Sequence, residues 1–396
     1  MTVDGKPTLG VGMVGYAFMG AAHSHGWRNA PSFFEDLPLV PRLAALAGRN
    51  REAAGAVAEK FGWGDVETDW RRLVARDDVD LVDVCTPGDT HAEIAIAALQ
   101  AGKHVLCEKP LANSVEEAEA MAEAAEKAAR SGVRAMVGFT YRRVPAIVLA
   151  RKLVAEGRLG QLRHVRAQYL QDWLSDPETP LSWRLDKQKA GSGALGDIGA
   201  HIVDLTQYVT GEKITGVSAM LETFVKERPQ PASFSGLAGT ASSDGDRGPV
   251  TVDDAALFLA RFAGGAVATF EASRFAAGRK NALRIEINGT DGGLAFDLED
   301  MNVLQVYDHT EDPALAGFKR VLVTEATHPY LAAWWPPGHL LGYEHSFTHQ
   351  AVDLLTAIAN GTGPEPSFAD GLRVQRVLAA VEASAAGGSA WTEVPG

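Results

Sequence analysis

A chain of 396 residues with 46% hydrophobic and 22% charged side chains has the size for two domains with substantial cores. Its formal net charge of -13 argues against nonspecific nucleic-acid binding, which needs basic surface against phosphates, yet allows a local basic pocket for a cofactor phosphate. The opening MTVDGKPTLG lacks a basic stretch leading into an apolar one, and no run of about 18 apolar residues occurs, so a cytoplasmic protein without membrane contact is expected.

Apolar strand-like runs alternate with helical patterns over the first part of the chain. Strands are predicted over 9–14, 43–47, 80–85, 104–107 and 133–138, with helices over 19–29, 51–61, 91–100 and 115–129. Such alternation implies right-handed crossovers and a parallel sheet covered on both faces. Cys85 and Cys107 each close a short apolar run and are expected as reduced core thiols, not a disulfide or a metal pair.

After Tyr141 the pattern changes. A helix over 145–156 precedes extended segments at 162–170, 215–224, 255–262, 266–274, 283–288, 293–297, 303–307 and 319–324. Several follow one another without a helix, which predicts a large, mostly antiparallel sheet with helices on one face and the other face solvated or used between subunits. The stretch 229–249, rich in Gly, Ser and Ala and carrying Asp244 and Asp246, reads as a mobile surface loop. Helices over 343–360 and 368–385 close the chain. The fold class is α/β: a dinucleotide-binding parallel sheet over 1–142, then an α+β domain over 143–396 with an open, predominantly antiparallel sheet.

Three segments carry chemistry. The first is Gly15-Tyr-Ala17-Phe18-Met19-Gly20, directly after the first strand and opening a helix. Glycine there permits a tight turn and close helix–strand packing, and the helix start offers unpaired N–H groups to a pyrophosphate. Ala17 in the middle position adds a methyl that shifts the phosphates outward. The second strand ends Ala47-Gly-Arg49-Asn, without the acid that reads a ribose 2′-hydroxyl; Arg49 can instead meet a 2′-phosphate, leaning toward NADP over NAD, unless it is merely solvated. The second segment is Glu108-Lys109-Pro110 at the carboxyl end of a parallel strand, where open sheets hold ligands; Lys109 can stabilise alkoxide character there, or be a plain surface lysine. The third is Gly191 to Thr206, where Asp197 and His201 fall at i and i+4 on one helix face, with Asp204 near the same side. A histidine can take a hydroxyl proton while hydride leaves the carbon, and a neighbouring carboxylate can orient it. The alternatives are a helix-start acid and a core histidine. No third ligand at metal-site spacing is apparent, so no metal is expected.

Together the glycine turn, Thr86-Pro87 with His91, Glu108-Lys109-Pro110, Tyr141-Arg142-Arg143, Glu156-Gly157 to Gly160 and Gly196-Asp197 to His201 resemble the Gfo/Idh/MocA family, which includes glucose–fructose oxidoreductases and inositol dehydrogenases. The resemblance implies a Rossmann domain, a β-rich substrate domain and an active site in the cleft between them. It implies that Lys109 assists the reacting hydroxyl, that His201 is the acid/base and that Asp197 supports substrate or His201. With the readings of the turn and of the strand ends, cofactor contact is expected at Gly15, Ala17, Phe18, Met19, Gly20, Arg49, Thr86, Pro87, His91, Glu108 and Lys109. It implies a homodimer or homotetramer joined through the open sheet face. Gly88 departs from the Asn often found after Thr-Pro. The stretches 169–173 and 180–184 resemble sugar dehydrogenases of the family, making Gln171, Asp172, Trp183 and Arg184, with Tyr141 and Arg142, candidate contacts to a sugar, anhydrosugar or cyclitol. The expected reaction is hydride transfer between nicotinamide and a ring secondary hydroxyl. The rivals are a redox-neutral, glycoside-cleaving or eliminating enzyme with the same residues, and a non-catalytic NAD(P) sensor.

Overall fold

The computed structural model describes residues 2–3, 5–235, 238–241 and 245–396. They fall into two compact units, Met1–Arg143 with Leu341–Leu372, and Val144–Leu340 with Arg373–Gly396. The sequence reading drew one division after residue 142; the structure groups a later segment with the first unit.

In the first unit, strands β1 (Lys6–Val14), β2 (Val40–Ala47), β3 (Val66–Glu67), β4 (Leu81–Val84), β5 (His104–Cys107) and β6 (Ala135–Val137) pair in parallel in the order 3-2-1-4-5-6. That is the doubly wound dinucleotide-binding arrangement, with its reversal of strand order between β1 and β4. Thr2–Val3 folds back antiparallel onto β1. Helices α1 (Phe18–Phe33), α2 (Arg51–Phe61), α3 (His91–Gln100) and α4 (Val115–Ala129) supply the crossovers. The sheet is apolar because both faces are covered: Val11, Met13, Leu46, Leu81 and Leu106 are buried with Trp27 of α1. Leu354 and Leu355 of the later helix His345–Asn360 join the same core. That helix lies close against α1, since a Cβ at Gly26 would stand 2.7 Å from the Phe347 carbonyl oxygen. The two-residue β3 escaped the sequence reading because it is too short to carry a period.

The second unit holds helices α5 (Pro145–Ala155) and α6 (Ala200–Thr210) and strands β7 (Leu162–Leu170), β8 (Ile214–Glu222), β9 (Ala255–Phe262), β10 (Val267–Ser273), β11 (Ala282–Gly289), β12 (Gly292–Asp297), β13 (Val303–Asp308), β14 (Lys319–Leu322) and β15 (Thr392–Glu393). These form a nine-stranded sheet in the order 14-13-12-11-7-10-9-8-15, antiparallel throughout except where β7 and β10 run parallel. On β9, Phe258 and Phe262 point into the core while Leu257 and Leu259 face out, the period-two pattern of a sheet with one covered face.

The expected open loop over 229–249 is largely paired. Glu227–Pro229 runs antiparallel to Arg247–Pro249, and Pro231–Ser235 to Ala238–Ala241. Backbone ladders hold these strands, and a run of small residues gives no periodic signal of them. Residues 236–237 and 242–244, including Asp244, lie outside the described residues. Among the described residues no helix is long and apolar enough to cross a membrane.

Candidate active site

The turn after β1 is shaped for a pyrophosphate. Gly15 has φ of +100°, and a Cβ there would stand 2.6 Å from the Cys85 carbonyl oxygen. A Cβ at Gly20 would stand 2.4 Å from the Gly15 carbonyl oxygen, so only glycine lets helix and turn approach this closely. Ala17 starts α1 in ordinary extended geometry, where a methyl is tolerated, and caps nothing with its side chain. No acid occupies the first turn of α1. The amides of Phe18, Met19 and Gly20 therefore open a helix start that carries no competing anion, and these residues fit a dinucleotide. Phe18 is half exposed and stacks toward Tyr343, which also meets Tyr141 edge-on. Burial, then Tyr141 and the charge of Glu108, push the Tyr343 hydroxyl pKa up, so this aromatic wall stays neutral.

Around β4 and β5 several expected contacts act from beneath. His91 is buried with its ring nitrogens turned to the carbonyl oxygens of Thr86 (2.8 Å) and Pro110 (3.0 Å), tying together the two loops that follow these strands. It does not present a nitrogen to a ligand. Thr86 accepts a hydrogen bond from Thr90, and Pro87 leads into the 3-10 turn Gly88–Thr90. Where Gly88 stands, a Cβ would meet Asn113 Oδ1 at 2.4 Å; Asn113 fills the space that an Asn at 88 would take. Lys109 is half-buried at the end of β5, and its peptide bond to Pro110 is cis. Glu108 is buried and turned inward, away from the role expected of it.

Glu108 belongs to a cluster that the sequence reading missed. His23 of α1 places Nε2 2.9 Å from Glu108 Oε1 and Nδ1 2.9 Å from Asp83 Oδ2. Trp27 Nε1 donates to Asp83 at 2.7 Å, and Cys85 Sγ donates to its other oxygen at 3.4 Å. Burial opposes a charged ring, but Asp83, then Cys85, outweigh it and raise the His23 pKa well above its ordinary value. An acid inside the otherwise apolar run 81–85, with a histidine inside α1, was the available signal. His23, Asp83 and Cys85 are also the group, among the described residues, whose atoms lie close enough to share a metal ion. Those atoms are already engaged with one another by the hydrogen bonds above.

In the second unit, Asp197 lies in a π-helical turn, Leu195–Gly199, that runs straight into α6 carrying His201. An unbroken α-helix was expected; the widened turn occurs where Gly196 and Gly199 offer little side-chain packing, a feature often found at functional sites. Asp253 fixes the turn's start by accepting from the amides of Gly193 (2.6 Å) and Leu195 (2.8 Å). Arg274, fully buried, reaches Asp197 at 3.7 Å and donates to the Asp253 carbonyl oxygen. His201 is buried edge-on to Tyr169, and Asp204 is wholly buried in α6. Tyr169 and Gln171 both donate to Asn281 Oδ1, and Trp173 donates to Gln171. Asp253, Arg274 and Asn281 were not legible beforehand, because each acts across a long separation.

The remaining candidates divide. Arg184 lies over the Trp183 ring, both half-buried. Tyr141 and Arg142 are buried in the short turn Thr140–Arg143. Asp172 is committed to Lys280 Nζ (2.7 Å) and the Gly278 amide, and the Lys280 hydrogen bond lowers its pKa. Arg49 is exposed at the end of β2, ahead of Asn50, which caps α2.

The chain resembles known proteins along its length. Residues 9–139 match the model described as an oxidoreductase family with an NAD-binding Rossmann fold, and 147–295 match the GFO/IDH/MocA C-terminal domain. Levoglucosan dehydrogenase of Pseudarthrobacter phenanthrenivorans is 43% identical over 98% of both chains. The crystal structure of an oxidoreductase domain protein from Kribbella flavida is 70% identical, with a TM-score of 0.93 over 98% of this chain and 100% of that one. A structure of levoglucosan dehydrogenase with NADH and levoglucosan is 42% identical, with a TM-score of 0.91 over 98% and 100%.

Proposed function

The chain belongs to the Gfo/Idh/MocA family of oxidoreductases, and on that premise we propose that it oxidises a ring secondary hydroxyl of a sugar-like substrate, with the anhydrosugar levoglucosan as first candidate. The full-length similarity to levoglucosan dehydrogenase carries this choice. In this reading the first unit binds the dinucleotide and the second binds substrate.

When bound, the nicotinamide exchanges a hydride with the carbinol carbon. The chain's own part is to bind, orient and move a proton. The turn Gly15–Gly20 holds the pyrophosphate. Lys109 Nζ donates to the substrate oxygen and stabilises its developing negative charge. A ring nitrogen of His201 takes the hydroxyl proton, and Asp197, backed by Arg274, orients the imidazole or a neighbouring hydroxyl. Tyr141, Arg142, Gln171, Trp183 and Arg184 offer an apolar ring face and hydrogen-bonding tips, while Asp172 acts one step back by fixing the loop around Lys280.

The test is absorbance at the reduced-nicotinamide band with levoglucosan, cyclitols and aldoses, using NAD and NADP. Reduction with levoglucosan is expected. His201→Ala and Lys109→Ala should each lose roughly 10²–10⁴-fold in kcat while NADH binding persists. Silence across the panel with cofactor bound would replace this reading with the redox-neutral one. Arg49 favours acceptance of a 2′-phosphate, so Arg49→Ala should raise KM for NADP and spare NAD; an equal change for both removes Arg49 from that role.

The exposed face of the sheet supports the reading that the chain self-associates. Met220, Leu257, Leu259 and Val267 are exposed on β8, β9 and β10, an apolar surface suited to a closed homo-oligomer. Light scattering of the wild type against Leu259→Lys checks this: a mass unchanged by the lysine places the interface elsewhere.

A further inference from the structure

We propose that His23 is a positioning residue for the reaction: as an imidazolium bridging Asp83 and Glu108, it locks the helix that carries the dinucleotide turn to the strand end that carries Lys109. The inference rests on the role given above to Lys109.

The geometry suits the charged ring. A neutral imidazole donates from one nitrogen only and would aim the other lone pair at a carboxylate. Here both nitrogens face carboxylate oxygens at 2.9 Å, so a ring that donates twice satisfies both. Neither acid can swing away. Asp83 is held by Trp27 and Cys85, and Glu108 Oε2 accepts from the Lys109 backbone amide at 3.2 Å. Gly138 leaves the room for this carboxylate, since a Cβ there would stand 2.6 Å from Glu108 Oε1. The chain of contacts therefore runs from α1 through His23 and Glu108 to the main chain of Lys109. The titratable groups facing it are Asp83 and Cys85 at the end of β4, Cys107 and Glu108 at the end of β5, and Tyr343, whose charge interaction is with Glu108. Phe347 covers the His23 ring.

His23→Gln keeps much of the ring's volume and removes its charge. We expect kcat to fall roughly 10–100-fold through misplacement of Lys109, with KM for NAD unchanged. The pH profile of kcat should move as well, because the buried positive charge that meets the Glu108 carboxylate has gone. Glu108→Gln, which keeps the shape but has one acceptor oxygen for the two donors, His23 Nε2 and the Lys109 amide, is the second variant and should also lower kcat with KM for NAD unchanged. Rates are referred to sites titrated with NADH, so a merely structural loss lowers the number of sites without moving the profile. Wild-type kcat per site and an unmoved profile in either folded variant overturn the proposal. If Lys109→Ala is inactive in the same assay, that failure belongs to His23 alone; if Lys109→Ala is fully active, the premise has failed with it.

Discussion

Each unit buries charge, and the two do so differently. In the Rossmann unit His23 stands 2.9 Å from both Asp83 and Glu108, with Trp27 closing the set, and every member is buried. In the second unit Arg274 is equally buried but reaches Asp197 only at 3.7 Å, and the Asp197 side chain stays 29% exposed. The first arrangement has no capacity left for a ligand and can only hold its neighbours in place. The second keeps a carboxylate that water or substrate can still reach. Tight closure suits positioning, and a loose, half-open pair suits contact with something that comes and goes.

Removing one member of each set should expose that contrast. Asp83→Ala leaves His23 and Trp27 without their partner deep in the core, and urea unfolding should show a loss of about 3–5 kcal/mol. Arg274→Met should cost less, about 1.5–3 kcal/mol, because the abandoned Asp197 can turn to water, yet it should cost turnover that a stability assay does not see. Equal losses in the two variants would break the distinction.

Two buried histidines sharpen it further. His349 donates to the Arg143 carbonyl oxygen, and burial lowers its pKa to about 3. The unfolded state then binds the proton first, so the stability from His349 is present above about pH 6.5 and is lost as pH falls toward 3, by at most about 1.4 kcal/mol per unit. His23 has the opposite sign: its pKa is raised, so its contribution is complete below about 6.5 and fades as pH rises through the raised value. Urea midpoints at pH 7 and 5 for the wild type and His349→Gln check the first, with the variant losing less on acidification. The smallest effect belongs to Lys280, whose side chain is 78% exposed; Lys280→Ala should change stability by less than about 1 kcal/mol.

Much of this was legible in the chain, for reasons that differ by element. The strands Leu81–Val84 and His104–Cys107 are buried runs, apolar but for Asp83 and the opening His104, because both faces are covered, and β9 alternates because one is not. Gly15, Lys109, Asp197 and His201 stood out because each combines an unusual residue with a strand end or a helix start. Partners in space left no such mark. His23 meets Asp83 across 60 positions and Glu108 across 85, and Asp172 spends its carboxylate on Lys280 across 108. Nothing local announces those pairings, which is why Glu108 and Asp172 were read as ligand contacts. The π turn at Asp197 was hidden for a related reason, since one extra residue in a turn leaves the apolar pattern nearly intact.

The first unit is finished only by Leu341–Leu372, whose helix lies against α1 at Gly26 and shares the core around Trp27. During synthesis the Rossmann sheet must therefore wait while about 200 intervening residues are made, on the order of 10–40 s at typical ribosome speeds. Throughout that interval the flank of α1 destined for Phe347 and Leu354 has no cover. A nascent chain stalled before residue 341 should be a client for chaperones that bind exposed apolar helices, and release of that hold should coincide with the arrival of the closing helix.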